Sequence, residues 1–209
     1  MKRDRILSFT KAYWPLLVLF SAVLAVRMAA AVLLPLEPDE EIYASIARDV
    51  SDGESIFDSS TGVYRAPIFI YALALWFKVF GVSFVSARIF AAAFSSLTVL
   101  AVFLVGRELF DRRIGLIGAA AAGFLPFSIR YNYVVMSEPL QWVFVSFGLL
   151  FLVMGVKRER WYFHALSGLF VLLSIGVRRS SFVFPLIMVF FHIWYYRSAI
   201  GKLFKYCGS

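Results

Sequence analysis

The chain has 209 residues, 61% hydrophobic and 18% aromatic, with a formal net charge of +8 and a mean hydropathy of +0.81. Soluble domains are about half apolar, so this composition excludes an ordinary soluble protein. The basic residues sit in short clusters between apolar runs, as in the cytoplasmic loops of membrane proteins rather than on a nucleic-acid-binding face, and the single cysteine, Cys207, excludes an intrachain disulfide and a cysteine-cluster metal site.

Lys2, Arg3, Arg5 and Lys11 predict a cytoplasmic N-terminus. The first apolar run, 13–36, is long enough to remain as an anchor and is read as a span moving outward. Arg27 interrupts it. A charge at that depth costs about 2.5–3.5 kcal/mol on insertion scales, so Arg27 is expected to snorkel or to meet an acid in the interior, a structural ion pair being favoured over a ligand contact.

Pro38 followed by Asp39, Glu40 and Glu41 is a helix-start signature, because carboxylates in a first turn meet unpaired amides and the positive end of the dipole. Ile42, Tyr43, Ile46, Ala47 and Val50 then share one face, which suits a helix lying along the bilayer surface. Whether the acids only favour the helix start or also carry chemistry is left open by their spacing. The polar, turn-rich stretch 49–62 reads as an extracytoplasmic loop.

After Arg65-Ala66-Pro67, the apolar run ending at Phe80 falls short of the about 20 residues a span needs. It is either a short span or an interfacial helix, and charge decides. If 67–80 stays outside and the crossings are 87–105, 114–129, 139–156, 161–177 and 182–194, then 13 of the 21 Lys and Arg residues lie inside. Making 67–80 a span would put two basic clusters outside, against the charge bias. The expectation is therefore an all-α polytopic membrane protein with six transmembrane helices, juxtamembrane amphipathic helices in the first outer loop and both termini cytoplasmic, forming one membrane-embedded domain over 1–209.

That topology places Asp39, Glu40 and Glu138 on one outer face with Arg65, Arg130, Arg178 and Arg179. Each has a plainer reading: Glu138-Pro139 is a helix start, and Arg178-Arg179 an interfacial anchor. Taken together they suit a phosphate and a sugar. His164 and His192 read as isolated packing or belt residues. Trp161, Tyr162, Trp194, Tyr195 and Tyr196 read as an aromatic belt, and the small-residue runs 91–93 and 118–123 suit close helix packing. No nucleotide-binding loop, zinc signature or internal repeat stands out.

Several stretches, in order, resemble one family. Pro38-Asp39-Glu40-Glu41-Ile42-Tyr43-Ala44, Pro67 with Tyr71, Ser86-Ala87-Arg88-Ile89, the basic turn from Arg107 to Arg113, and Glu138-Pro139 are similar to the membrane module of C-type (GT-C fold) glycosyltransferases. The similarity lies in the branch of dolichyl-phosphate-mannose protein mannosyltransferases and aminoarabinose transferases. It implies transfer of a sugar from a polyprenyl-phosphate carrier to a lipid, glycan or protein acceptor on the extracytoplasmic side of the membrane. By the same resemblance Asp39 is the general base, supported by Glu40, while Arg65, Tyr71, Arg88, Glu138, Arg178 and Arg179 bind substrate, the arginines suiting phosphate because a planar fork pairs with its oxygens. Asp39 and Glu138 are also the candidates for a divalent metal. Arg65-Ala66-Pro67 departs from the Glu-Lys-Pro of the aminoarabinose branch, which removes one acidic ligand candidate and argues against that substrate. Family members continue through further spans, so the chain is expected to lack their C-terminal part. The rival expectation is a non-catalytic relative that binds the lipid carrier or completes a partner subunit.

Overall fold

A computed structural model describes residues 2–35, 37–56 and 66–193, with side chains described from Tyr13 onward. Arg65 and Cys207, the 194–196 part of the aromatic belt and the basic residues after it lie outside the described residues. Those described are helical, with no strand among them: α1 (Lys2–Leu33), α2 (Pro38–Ser51), α3 (Pro67–Phe80), α4 (Phe84–Leu109), α5 (Arg112–Phe124), α6 (Pro126–Tyr131), α7 (Ser137–Arg158), α8 (Trp161–Val177) and α9 (Arg179–Ile193), which opens with a 3-10 turn over Arg179–Phe182.

Three segments are long and apolar enough to cross a membrane: Tyr13–Leu33, Phe84–Leu109 and Ser137–Arg158. α3, α8 and α9 are apolar but shorter. The expected crossing over 114–129 is not one helix. α5 stops at Phe124, Leu125 takes φ −56 and ψ 135, and α6 begins at Pro126. Proline has no N–H to continue the ladder and pushes the residue before it into the extended region, so the signal stood in the sequence.

Inside a bilayer apolar burial drives little association, and helices adhere where small residues let backbones approach. α4 and α5 cross at Gly106 and Gly115, where a Cβ built on Gly115 would lie 2.6 Å from the Phe103 carbonyl oxygen. Asp111 caps α5 by accepting from the Arg113 and Ile114 amides at 2.6 and 2.9 Å. α7 packs chiefly on α8 and α4, and α1 on α4.

α2 and α3 pair with each other and cover one end of this bundle. Phe69, Ile70, Leu73 and Phe77 of α3 are buried with Ile46 and Ala47 of α2, Ala87 and Phe90 of α4, Val135, Leu140 of α7 and Val177 of α8. Trp76 donates to Ser86 Oγ at 3.1 Å, and Ile68 sits against Gly176. The end of α1, the starts of α4 and α7 and the end of α8 thus meet at one place. α4 begins where α1 finishes, so α2 and α3 leave and return at the same end.

The opposite end is basic and held by Glu108. Its carboxylate pairs with Arg107 at 3.3 Å and Arg158 at 3.0 Å, its carbonyl accepts from Lys157, and Arg107 also donates to the Tyr13 hydroxyl at 2.8 Å.

Candidate functional site

α2 starts on Pro38, whose fixed φ suits a first helical position. Three acids follow in its first turn, yet Glu37 at the N-cap makes no side-chain cap bond. A helix advances about 100° per residue, so neighbouring acids face different surroundings. Glu40 points into the protein and is 0% exposed, whereas Asp39 is exposed.

Glu40 meets Arg88 of α4, itself 3% exposed. Arg88 Nε donates to both carboxylate oxygens, at 2.8 and 3.2 Å, and Nη2 lies 2.7 Å from Oε2. The remaining donors go to the end of α1: Nη1 to the Leu34 and Ala31 carbonyls at 2.7 and 3.3 Å, and Nη2 to the Pro35 carbonyl at 2.6 Å. Glu40 also accepts the Val135 amide at 3.2 Å. The guanidinium lies 5.3 Å from the Tyr133 ring centroid, and burial pushes the Tyr133 phenol up from its ordinary range against the pull of Arg88. One buried pair therefore ties together α1, α2, α4 and the segment before α7, satisfying carbonyls that a helix end leaves open. Both members are fully engaged, so neither presents a free group to a ligand.

Asp39 faces a pocket of about 260 Å³ lined by Glu37, Pro38, Arg130, Tyr131, Val134 and Met136. Arg130 supplies its cation and pairs loosely with Glu37 at 3.7 Å. Arg130 and Tyr131 stand on α6, so the break between α5 and α6 shapes this pocket. A second pocket, about 410 Å³ and largely apolar, is lined by Ile56, Ala66, Pro67, Tyr71, Ile175, Gly176, Arg179 and Phe182. It brings together Tyr71 and Arg179, an aromatic hydroxyl and a cation at a greasy cleft. Ala66, before Pro67, adopts a left-handed φ of 58° to turn the chain into α3.

Glu138, in the first turn of α7, is paired with Arg178 at the end of α8 and accepts from Ser137 Oγ at 3.3 Å. Gln141 donates to Ser181 Oγ at 2.8 Å, holding the start of α9 onto α7. The expected juxtapositions therefore resolve into Glu40 with Arg88, Tyr71 with Arg179, Glu138 with Arg178, and Asp39 with Arg130. Among the described residues the two pockets share no lining residue. Among the described residues no group of three or more His, Cys, Asp or Glu assembles, and Glu138 is committed to Arg178. Among the described residues Asp39 and Glu138 do not present a formed divalent-cation site.

Two expectations are corrected. Arg27 does not snorkel and meets no acid among the described residues: it is 1% exposed and its outer nitrogens donate to Ser95 Oγ at 3.1 Å, Ser128 Oγ at 3.0 Å and the Ala122 carbonyl at 3.3 Å. His164 and His192 are not isolated, their ring nitrogens lying 3.1 Å apart between α8 and α9. No local signal in the sequence joins residues separated by 28 positions or more.

Compared with known proteins, residues 64–209 match the family model described as dolichyl-phosphate-mannose-protein mannosyltransferase. No curated protein and no solved structure matches the chain. The matched part holds α3 to α9, hence Tyr71, Arg88, Glu138, Arg178 and Arg179, and it covers well over half of the sequence. With its long apolar helices, this is an integral membrane protein of the glycosyltransferase kind, and the chain belongs to the dolichyl-phosphate-mannose-protein mannosyltransferase family.

Proposed function

We propose that this chain transfers a sugar from a polyprenyl-phosphate carrier to an acceptor hydroxyl at the bundle end covered by α2 and α3, with that end facing out of the cytoplasm. The observation that carries the reading is the sorting of two adjacent acids: Glu40 is sunk on Arg88 and fixes the start of α2, which leaves Asp39 exposed in a pocket beside Arg130.

Asp39 is the proton acceptor. The acceptor's oxygen bonds to the anomeric carbon as its hydroxyl proton passes to the Asp39 carboxylate, and the bond from that carbon to the carrier's phosphate oxygen breaks with its electron pair. The leaving phosphate carries the new charge, which a nearby guanidinium stabilises. Arg130, which lines the pocket beside Asp39, fits that role, while the apolar cleft with Tyr71 and Arg179 at its wall suits the carrier's first isoprene units and its phosphate end. Glu40 and Arg88 act as positioning residues.

The test is transfer by the purified full chain in lipid vesicles, with dolichyl-phosphate mannose as donor. A general base typically contributes about 10²–10⁴-fold, so Asp39→Asn is expected to reduce transfer on that order while Arg179→Ala weakens donor binding roughly tenfold or more, as loss of a charge-assisted hydrogen bond implies. Unchanged transfer in Asp39→Asn would remove the reading. A second reading, a carrier-lipid binder that transfers nothing, is favoured by the absence, among the described residues, of any lining residue common to the two pockets. It predicts donor binding that depends on Arg179, with no transfer by the unaltered chain.

A further inference from the structure

Arg27 is a cation buried in an apolar helix with no acidic partner among the described residues, and its Nε finds no hydrogen-bond partner there. Such a group is expensive to keep in a membrane and marks a specific task. Its partners identify the task. Ala122 is four residues before Pro126, so its carbonyl is the one the missing proline N–H would have served. Arg27 Nη2 and the Ser128 hydroxyl both donate to that carbonyl. Ser128 is on α6, and Asn132, just after it, donates to Ser128 O and Oγ at 2.6 and 2.7 Å. Ser95 of α4 accepts from Arg27 Nη1 and donates to the Asn132 carbonyl at 2.7 Å. The guanidinium thus holds both sides of the break and ties them to α4.

We propose that Arg27 is a positioning residue for the Asp39 pocket: by bonding across the Leu125-Pro126 break it holds the segment bearing Arg130, Tyr131, Val134 and Met136 where that segment forms the pocket's wall. The inference rests on the reading of that pocket as the transfer site only for its consequence; the geometry is tested separately.

Spin labels at Phe127→Cys in α6 and Ile42→Cys in α2, two exposed positions, are placed in a Cys207→Ser background of the full chain in vesicles, and their distance distribution is measured. A control pair at Leu109→Cys and Leu149→Cys reports on α4 against α7. Arg27→Gln is expected to broaden the first distribution and leave the control unchanged, and Arg27→Lys, which keeps the charge but loses the fork, to broaden it less. Should Arg27→Gln fail to fold, Arg27→Lys carries the test: it leaves the Ser128 hydroxyl on the Ala122 carbonyl and on Asn132 and loses only the fork, and broadening of the first pair alone is expected. An unchanged first pair, or equal broadening of both, would overturn the proposal. Neither result depends on transfer, so failure here leaves the Asp39 reading standing, and failure of Asp39→Asn to lose transfer leaves this geometry standing.

Discussion

Asp39 and Glu40 differ by one methylene and by about 100° of helix, and that rotation decides their fates. The glutamate enters a dry site where Arg88 surrounds it; the aspartate keeps its solvent. A buried pair is not by itself a large source of stability, but removing one partner strands a charge and costs about 3–5 kcal/mol. Arg88→Met should therefore lower the thermal midpoint of the detergent-solubilised protein markedly, since it also strands the α1 carbonyls. Exposed Asp39→Asn should leave that midpoint nearly unchanged. If Arg88→Met were thermally neutral, the pair would not be holding α1, α2 and α4 together. The sequence marked Asp39 and Glu40 as chemistry-bearing, the family resemblance added Arg88, and the structure separates them: Glu40 and Arg88 lie 48 positions apart, so no local pattern could show that they consume each other's hydrogen-bonding capacity. Arg27, whose partners lie on α4 and at the α5–α6 break, was opaque for the same reason.

At the scale of elements, proline and glycine set the architecture. Pro38 and Pro67 open α2 and α3, and the apolar run read as stopping at Phe80 does stop there. α8 also occupies the expected 161–177. These boundaries were legible because a missing N–H or a charge cluster is a local fact. The break before Pro126 carried the same kind of signal and was overridden by the apolarity of 114–129. The α4–α5 crossing was not legible, since nothing in the sequence says which of several glycines faces another helix. It yields a direct expectation: Gly115→Val places side-chain carbon against the Phe103 backbone, where overpacking typically costs about 1–3 kcal/mol. Gly168→Val, where an added Cβ meets nothing within 4 Å, should be tolerated. Thermal midpoints of the two variants check this, and equal loss in both would contradict the close crossing.

For the whole molecule, the two ends differ in kind. One gathers Arg107, Lys157 and Arg158 around Glu108 and carries Arg112 and Arg113 at the start of α5, and the other carries α2, α3, Asp39 and Glu138. The proposed orientation, with the Asp39 pocket outward, rests on the charge bias that favours a cytoplasmic basic end and on the return of α4 to the end of α1, which keeps α3 from changing the parity. The most direct check is single-cysteine labelling of intact cells with a membrane-impermeant thiol reagent, in a Cys207→Ser background. It uses Glu41→Cys on α2, Arg130→Cys on α6 and Phe110→Cys at the basic end, all exposed positions. The expected result is reaction at residues 41 and 130 from outside, with residue 110 labelled only after permeabilisation. Labelling of residue 110 from outside, or of residues 41 and 130 on opposite sides, would contradict an outward transfer site at this end of the bundle.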